Sequence, residues 1–494
     1  MDTQDIVNHE PLQAQLEANE SLLRKIFAHC DDVVYREICL GSSDQRGLVV
    51  FISNLIKKDL MDSTILRELL GGLRESKTIS MNQIEHQLIS ASETHVVTNL
   101  MDVAGGIVSG QAVLMIDGED SALTMDVLGW EHRAVEKSEN EVTIRGSQQA
   151  FTENLMNNIA LVRRFIADVR LKVEKGVIGE ITHTPYSLLY VEGIVDPAIL
   201  QEVKRRLHAK TVDKVFDSGN LKELFRDAPR SPFPTVNRTE RPDRVVAQLL
   251  EGRVAILVEN SPIALTMPSL FVEFLQAPED YYENFLLQSA IRLLRYFALI
   301  MSLIVPSLYV ALVGFHHELI PASMLPSVMS QREGIPMPTV FEVLIMEIMF
   351  EVLREAGLRL PRPIGQAISI VGALVVGQAA VQAKLVMATT VIVVATAGVT
   401  SFTIPGFGMA GAVRLLRFPL LILTGVLGLF GFTVGVFILL IHLMSLRSFG
   451  VIYTGGLAPR RWQDFKDTLI RTPEQTDVQT PWIGKKNTGS LKRK

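Results

Sequence analysis

Three glutamates recur at a four-residue spacing in an otherwise apolar segment of the chain. They are Glu347, Glu351 and Glu355, within the stretch Pro338–Leu360 that also carries Glu342. A four-residue spacing places side chains on one face of an α-helix, so these carboxylates form a candidate acidic stripe. Carboxylates repeated around a shared axis would favour cations. The alternative, which we favour, is an amphipathic helix at a membrane surface whose acidic face lies in water.

A second pattern combines small side chains with amides. Small residues recur every four positions and glutamines lie beside them, at Gly365, Gln366, Ser369, Ala373, Gly377 and Gln378. Small residues at this spacing let helix backbones approach closely in lipid, so packing inside one subunit is one interpretation. The functional interpretation is that these six residues line a narrow polar path for ions between subunits.

The sequence carries no pattern that supports catalysis, a metal site or a cofactor site. The phosphate-binding loop and the His-Glu-x-x-His, Cys-x-x-Cys and Gly-x-Ser-x-Gly patterns are missing. A Gly-x-Gly-x-x-Gly match at residues 406–411 follows an apolar run of membrane length, and no acidic residue lies about 20 positions further on. We therefore expect a protein that is not an enzyme and needs no cofactor.

Net charge and cysteine content narrow the class of protein further. The net charge is −5 and the pI is about 6.1, so the chain lacks the basic surface that nucleic-acid binding requires. Its two cysteines, Cys30 and Cys39, both lie in the polar half of the sequence. We expect two reduced thiols in a cytoplasmic region rather than a disulfide.

The candidate residues lie in a strongly apolar half of the chain. Between Pro363 and Leu446 the formal charges are Lys384, Arg414 and Arg417. A helix that crosses a bilayer needs about 20 apolar residues. Four uncharged runs meet or approach this length: Tyr296–Phe315, Ile364–Ala383, Leu385–Ile404 and Phe418–Leu446.

The charges and helix breakers predict how these runs are arranged. Lys384 is expected at a turn between two helices, since a charge in mid-bilayer costs about 2.5–3.5 kcal/mol. Pro306 should kink the first run, and the last run should tilt or break at its glycines. We predict four crossings, with Pro338–Leu360 as a non-spanning segment. An even number places the N-terminal region and the basic C-terminal tail on one side, the cytoplasmic side.

The polar half of the sequence contains an internal repeat. The stretch GQAVLMIDGEDSALTM from Gly110 aligns without gaps with GRVAILVENSPIALTM from Gly252. Upstream, Leu48–Leu70 resembles Ser187–Leu207. Two copies of one α/β unit, at about 35–130 and 180–270, would explain both matches. In the first copy we predict a strand at Leu48–Ile52, a helix at 64–73 and a hairpin over residues 111–127.

These patterns divide the chain into five parts. The fold class is an α/β N-terminal region of two related subdomains, followed by an all-α multi-spanning membrane domain. The predicted parts are a polar lead-in at 1–30, subdomain 1 at 31–140, a long helix with subdomain 2 and a linker at 141–285, the membrane domain at 286–450 and a C-terminal tail at 451–494. The long helix is predicted at Gly146–Glu174, and Ser231–Asp243 is predicted to be a Pro-rich linker or docking strand.

A series of collinear segments closely resembles the A subunit of GerA-type spore germination receptors. The resemblance runs from about Arg145 to Arg471, with a looser N-terminus. It includes the segments Arg145–Arg164, Ser231–Asp243, Leu249–Glu259, Ala277–Phe285, Arg332–Pro338, Leu353–Val381, Ser401–Pro405, Arg414–Pro419 and Leu446–Val451.

This resemblance implies a multi-pass subunit of a nutrient receptor in the spore inner membrane. The implied partners are a transporter-like B subunit, a lipoprotein C subunit and further copies of the chain, which would form a ring that conducts ions across the bilayer. The resemblance implies no ligand-contacting residue in this subunit. Three alternatives stay open: a paralogous channel subunit of the dipicolinate-release operon, a non-conducting assembly scaffold, and a solute transporter.

Overall fold

A computed structural model describes most of the chain in two compact units. The described residues are 10–40, 45–62, 81, 84, 94–129, 141, 145–209, 212–361, 372, 375–455, 457 and 468–471. One unit is α/β and extends to Arg226, with Val236–Pro268 added. The other is helical and consists of Asp227–Thr235 and the described residues from Ser269 onward. The predicted helix at 64–73 lies outside the described residues.

The α/β unit contains two five-stranded antiparallel sheets with the same strand order. The first sheet has the order β1-β2-β4-β5-β3 and the strands Val33–Leu40 (β1), Gln45–Ile52 (β2), Thr94–Val97 (β3), Ala112–Ile116 (β4) and Ala122–Met125 (β5). The second has the order β6-β7-β9-β10-β8 and the strands Leu171–Ile178 (β6), Thr184–Val191 (β7), Asn237–Thr239 (β8), Val254–Val258 (β9) and Ala264–Met267 (β10). The matching strand orders confirm the predicted duplication.

Helices occupy matching places in the two repeats. The described helices of this unit are Leu16–Ile26 (α1), Lys58–Leu60 (α2), Leu100–Val108 (α3), Leu155–Phe165 (α4), Pro197–Ala209 (α5), Ser218–Phe225 (α6) and Pro242–Leu250 (α7). Helices α1 and α4 each precede the first strand of a repeat, and α3 and α7 each precede the repeated hairpin. The Pro-rich segment supplies β8, which pairs with β10 as a docked edge strand.

The apolar pattern of the strands explains the layers of the first repeat. In β2, Leu48, Val50 and Ile52 contact one buried cluster, and Val49 and Phe51 contact another on the opposite face. Successive side chains of a strand point to opposite faces of the sheet. Both faces of β2 are therefore buried only because packed layers cover the sheet on each side. The predicted strand at Leu48–Ile52 and the hairpin of β4 and β5 are therefore confirmed.

Two sequence-based assignments were wrong at the start of the repeats. The predicted helix at Gly146–Glu174 is only Leu155–Phe165, because the chain enters strand β6 at Leu171. Leu171 and Val173 belong to the apolar core of the second sheet, so this part of the predicted helix is a strand. Likewise, the supposed lead-in contains α1, whose buried side chains make it part of the first repeat.

A buried ion pair joins the two repeats. The Arg163 guanidinium donates through Nε and Nη2 to the Asp32 carboxylate, both at 2.9 Å, and through Nη1 to the Leu171 carbonyl oxygen at 2.9 Å. Both charged side chains are fully buried. Cys30 lies beside them as a free thiol, and burial raises its pKa, so the thiol stays protonated. Cys39 is also free.

The helical unit consists of long apolar helices with short connections. The helices are Phe285–Gly314 (α8), Leu325–Arg332 (α9), Thr339–Arg359 (α10), residues 375–382 (α11), Ala388–Phe402 (α12) and Phe407–Ser445 (α13). Helices α8 and α13 are long and apolar enough to cross a membrane by length and composition, and α12 is a shorter apolar helix. Single 3₁₀ turns and a two-residue β-bridge pair (Arg447–Ser448 and Val451–Ile452) complete this unit.

Helix α13 is a tight hairpin of two antiparallel arms. Gly428 has non-helical backbone angles (φ 61°, ψ −141°), and residues 407–427 and 429–445 form the arms on either side. A Cβ on Gly431 would strike the Leu423 carbonyl, and one on Gly435 would lie 2.5 Å from Leu420 Cδ1. These pairs are eight and fifteen positions apart in the sequence. In a straight helix, which rises ~1.5 Å per residue, they would be too distant to touch. The predicted break at a glycine of the last run is therefore present.

The helices of this unit alternate in direction. The end of α8, the start of α10 and the hairpin tip meet, since Phe315 contacts Gly428 and Val340 contacts Gly425. At the opposite end, Gly406 contacts Phe274, which precedes α8. Lys384 lies in the turn between α11 and α12, as predicted. In the described residues α8, α10, α11, α12 and the two arms thus make six passages. Helix α10, expected to lie outside the bundle, is one of them.

The C-terminal segment returns to the beginning of the first long helix. Arg471 N donates to Ser289 Oγ at 3.1 Å, and Arg471 Nη2 donates to the Tyr281 carbonyl at 3.0 Å. Tyr296 donates through its hydroxyl to the Thr468 carbonyl at 3.3 Å. The segment 468–471 therefore lies at the end of the helical bundle where α8 starts, which agrees with an even number of passages.

Candidate functional site in the helical unit

One arginine connects four helices in the interior of the helical unit. Arg417, on the first arm of α13, donates through Nη1 to Glu347 Oε2 of α10 at 2.6 Å. Its Nη2 donates to Ser302 Oγ of α8 at 2.7 Å and to the Ala397 carbonyl of α12 at 3.2 Å. The Arg417 and Glu347 side chains are each 1% exposed. We call these four residues the arginine node.

The node lies close to a proline inside α8. Pro306 has no N–H, so the Ser302 carbonyl four residues earlier loses its usual helical donor. The Ser302 hydroxyl accepts from Arg417 and donates to the Ala397 carbonyl at 3.1 Å, so at this turn it joins α8 to α12 and to the first arm of α13.

A second polar layer surrounds Glu342, which is fully buried on α10. Glu342 Oε2 accepts hydrogen bonds from Met387 N at 2.8 Å and from Thr390 Oγ1 at 3.3 Å. The Thr390 and Thr389 hydroxyls also lie within hydrogen-bond distance of the Tyr309 hydroxyl, at 3.1 and 2.9 Å. Because Met387 is the N-cap of α12, the carboxylate meets the positive end of that helix dipole.

The predicted acidic stripe is divided between the interior and the surface of the bundle. Glu347 is buried in the arginine node, whereas Glu351 is partly buried and binds Arg354 at 2.7 Å. Glu355 is half exposed and pairs with Arg359 on the next turn. Glu347 therefore does not lie on the wetted face that we favoured for this helix, and each of the three carboxylates has an arginine partner.

The small residues that the structure describes pack against neighbouring helices of the same chain. Gly377 is buried, and a Cβ there would lie 3.5 Å from Val391 of α12. A Cβ on Gly398 of α12 would likewise meet the Phe350 ring of α10. Gln378 is exposed, as is Gln382 one turn later. Four candidate residues lie outside the described residues: Gly365, Gln366, Ser369 and Ala373.

The arginine node is the feature that sequence reasoning missed. Arg417 lies just before the uncharged run Phe418–Leu446 and is flanked by apolar residues. An arginine in such a place needs a buried carboxylate. Glu347, in the middle of another apolar helix, supplies it, and matching these two isolated charges could have indicated the contact.

The node provides charge and hydrogen bonds rather than a set of metal ligands. Across the described ranges, no group of three or more His, Cys, Asp or Glu side chains is arranged to hold a metal ion. Each layer contributes one carboxylate together with hydroxyl groups. Such an arrangement can hold helices together, bind water or stabilise a small cation.

Comparison with known proteins places the chain in a family. A family model described as Bacillus/Clostridium GerA spore germination protein matches residues 21–482. The chain is 41% identical to the uncharacterized membrane protein YfkQ of Bacillus subtilis over 95% of this chain and 91% of that protein. It is 40% identical to spore germination protein KA of the same organism, over 95% and 87% of the two chains.

One further relative and one solved structure are also similar. Spore germination protein GerLA of Bacillus cereus is 35% identical over 90% of each chain. The crystal structure of the N-terminal domain of the A subunit of the Bacillus megaterium germinant receptor GerK3 covers 53% of this chain and 98% of its own, at 26% identity and a TM-score of 0.43. The match of the family model over nearly the whole length shows that this chain belongs to the GerA spore germination protein family.

Proposed function

We propose that the chain is the membrane-embedded A-type subunit of a nutrient germinant receptor and that its assembled form conducts ions. It would act in the spore inner membrane with a transporter-like B subunit, a lipoprotein C subunit and further copies of itself. The α/β unit and the C-terminal tail would lie in the cytoplasm. Six helical passages support this topology, because an even number returns the chain to the side on which it starts.

One observation carries the proposal of a path between subunits. Gln378 and Gln382 lie one turn apart on α11, and both are exposed among the apolar residues of that helix. Ala379 and Ala383 beside them are exposed as well. An amide that faces lipid has no hydrogen-bond partner, which costs several kcal/mol. This face of the subunit is therefore suited to another subunit or to water, and less suited to lipid.

The direct test replaces an exposed amide on this face by an apolar residue of similar size. We expect Gln378→Leu to reduce nutrient-triggered ion release from spores at least tenfold while the protein level stays normal. Release of monovalent ions after nutrient addition is measured together with the amount of subunit in spore membranes. Ala373→Leu should have the same effect if the candidate stripe continues along this face. Gly377→Leu is a poorer choice, because its side chain would strike Val391.

A matched control is available on the surface of the hairpin. Val426 is 70% exposed and apolar, so Val426→Leu should leave ion release unchanged. If Gln378→Leu spores release ions at the normal rate with a normal amount of subunit, the path does not run along this face. Within the same proposal, the acidic stripe of Glu347, Glu351 and Glu355 is the candidate that determines which ions pass.

A solute transporter is the second candidate, and one described feature favours it. Transporters place charged groups at mid-membrane, and the buried Arg417–Glu347 pair lies midway along its two helices. A carrier binds and releases one solute per cycle, whereas a channel passes many ions per opening. Exchange of labelled solute without net ion current across vesicles would favour this candidate over the channel.

A further inference from the structure

Several buried polar atoms of the helical unit have no hydrogen-bond partner among the described residues. Five of them lie on α10 and on two helices that contact it: Thr339 Oγ1, Glu342 Oε1 and Glu347 Oε1 on α10, Ser307 Oγ on α8 and Arg417 Nε on α13. The five residues are each at most 2% exposed. A buried polar atom without a partner is costly, so native proteins normally satisfy such atoms with protein groups or internal water.

These five atoms occur in consecutive layers of the bundle, whereas others, such as Gln288 Oε1 and Gln331 Oε1, lie outside these layers. On α8, Ser307 lies between Ser302, which binds Arg417, and Tyr309, which lies in the Glu342 layer. On α10, Glu342 and Glu347 belong to the same two layers. Thr339 lies one turn before Glu342. The unpaired atoms therefore follow α10 from its first residue to the arginine node.

We propose that these groups line an internal hydrated tract within a single subunit, which binds water molecules and admits a small monovalent cation. The tract runs along α10 from Thr339 to Glu347, between this helix and its neighbours α8, α12 and the first arm of α13. Internal water is expected where a site is polar and offers two to four hydrogen-bond partners. This proposal rests on the proposed function in one respect, which is that the helical unit lies in a membrane. It does not depend on a path between subunits, because the tract lies inside one subunit.

The charges along the tract favour a cation over an anion. Glu347 is compensated by Arg417 at 2.6 Å. Among the described residues, Glu342 has no lysine, arginine or histidine within ion-pair distance, and it accepts only from the Met387 amide and the Thr390 hydroxyl. Arg332, a basic residue at that end, donates instead to the Val313 carbonyl at 3.1 Å. One carboxylate therefore remains without a neutralising partner in contact.

The test measures whether silver ions reach thiols placed along the tract. Silver ion is a small monovalent cation that binds thiolates, so it probes water-filled space. Thr339→Cys and Ser307→Cys are made separately in full-length chain that carries Cys30→Ser and Cys39→Ser. Membranes from expressing cells are exposed to silver ions without nutrient, and thiols left unreacted are counted by maleimide labelling after denaturation. Val343→Cys and Val310→Cys are the matched controls, since both are buried apolar neighbours on the same helices.

We expect the Thr339→Cys and Ser307→Cys thiols to react at least tenfold faster than the two controls. Equal protection of all four thiols would show a dry interior and overturn the proposal, and equal rapid reaction of all four would show a loosely opened bundle instead. Protection of Ser307→Cys alone would mean that no continuous tract exists. No ion flux is measured, so a receptor that fails to conduct leaves this result unaffected.

A second substitution tests the preference for cations. We expect Glu342→Gln to slow the silver reaction of Ser307→Cys several-fold, because glutamine keeps the bond from Met387 but removes the negative charge. Glu355→Gln, on the exposed end of the same helix, should leave the rate unchanged. An unchanged rate of the silver reaction in the Glu342→Gln protein would show that the tract does not favour cations.

Discussion

Replacement of Asp32 by alanine is expected to destabilise the α/β unit by roughly 3–5 kcal/mol. Asp32 and Arg163 are fully buried and joined by two hydrogen bonds of 2.9 Å. Removal of the carboxylate leaves the buried Arg163 charge bonded to the neutral Leu171 carbonyl in place of an anion. The urea midpoint for proteolytic cleavage of this unit in the full-length protein measures the loss.

An exposed ion pair of the same unit provides the control for this prediction. Arg205 pairs with Glu202 on α5 and is 65% exposed, so Arg205→Ala should shift the midpoint very little. The double variant Asp32→Leu with Arg163→Leu should be more stable than either single leucine variant, since no buried charge is left unpaired. Equal midpoints for wild type and Asp32→Ala would show that the pair does not hold the repeats together.

Replacement of Arg417 by leucine is expected to have an effect of similar size, roughly 3–5 kcal/mol, on the helical unit. The variant leaves Glu347 as an unpaired buried carboxylate and removes the bonds to Ser302 and Ala397. Because these bonds join four helices, the loss should appear as a lower unfolding temperature of the protein in detergent. Size-exclusion chromatography after stepwise heating measures that temperature.

The Glu347→Leu and Arg417→Leu changes should compensate one another when combined. The double variant is expected to unfold at a higher temperature than either single variant, since the buried charges are removed together. Glu355→Gln is the matched control, because Glu355 is half exposed and pairs on the surface. Single variants as stable as wild type would show that the node carries little stability.

The duplicated α/β fold could be predicted because its signals are local and repeated. The Ala-Leu-Thr-Met ends of the two hairpins fall on β5 and β10, and the strands before them align without a gap. Turn residues between two short apolar runs identify such hairpins from sequence alone. The position of Lys384 at a turn was predictable for a different reason, since a lone charge between two apolar runs is costly within lipid.

The start of the second repeat could not be predicted in this way. Apolar residues from Phe151 to Val173 fit a helical period, yet the helix ends at Phe165 and a strand begins at Leu171. Pairing of β6 with β7 over eight residues outweighs the local helical preference. The burial of Arg163 likewise depends on Asp32, which lies far away in sequence and next to it in space.

The positions of the buried polar groups in the helical unit could not be predicted, because they depend on contacts between residues that are far apart in sequence. Glu347 and Arg417 are 70 residues apart, and their contact requires that α10 be one of the passages. The sequence predicts that α10 lies at the membrane surface, because this helix carries four glutamates. The spacing of small residues, by contrast, indicated close helix packing, which Gly377 and the hairpin glycines Gly431 and Gly435 show.

The most direct test of the central claim is ion flux through the purified receptor. The full-length chain is purified with its partner subunits, its mass is measured in detergent, and the complex is placed in liposomes loaded with potassium. We predict several copies of this chain per complex and a potassium flux that begins when nutrient is added and that Gln378→Leu suppresses. A complex with a single copy of the chain, or an intact complex that passes no ions with nutrient present, would contradict the account.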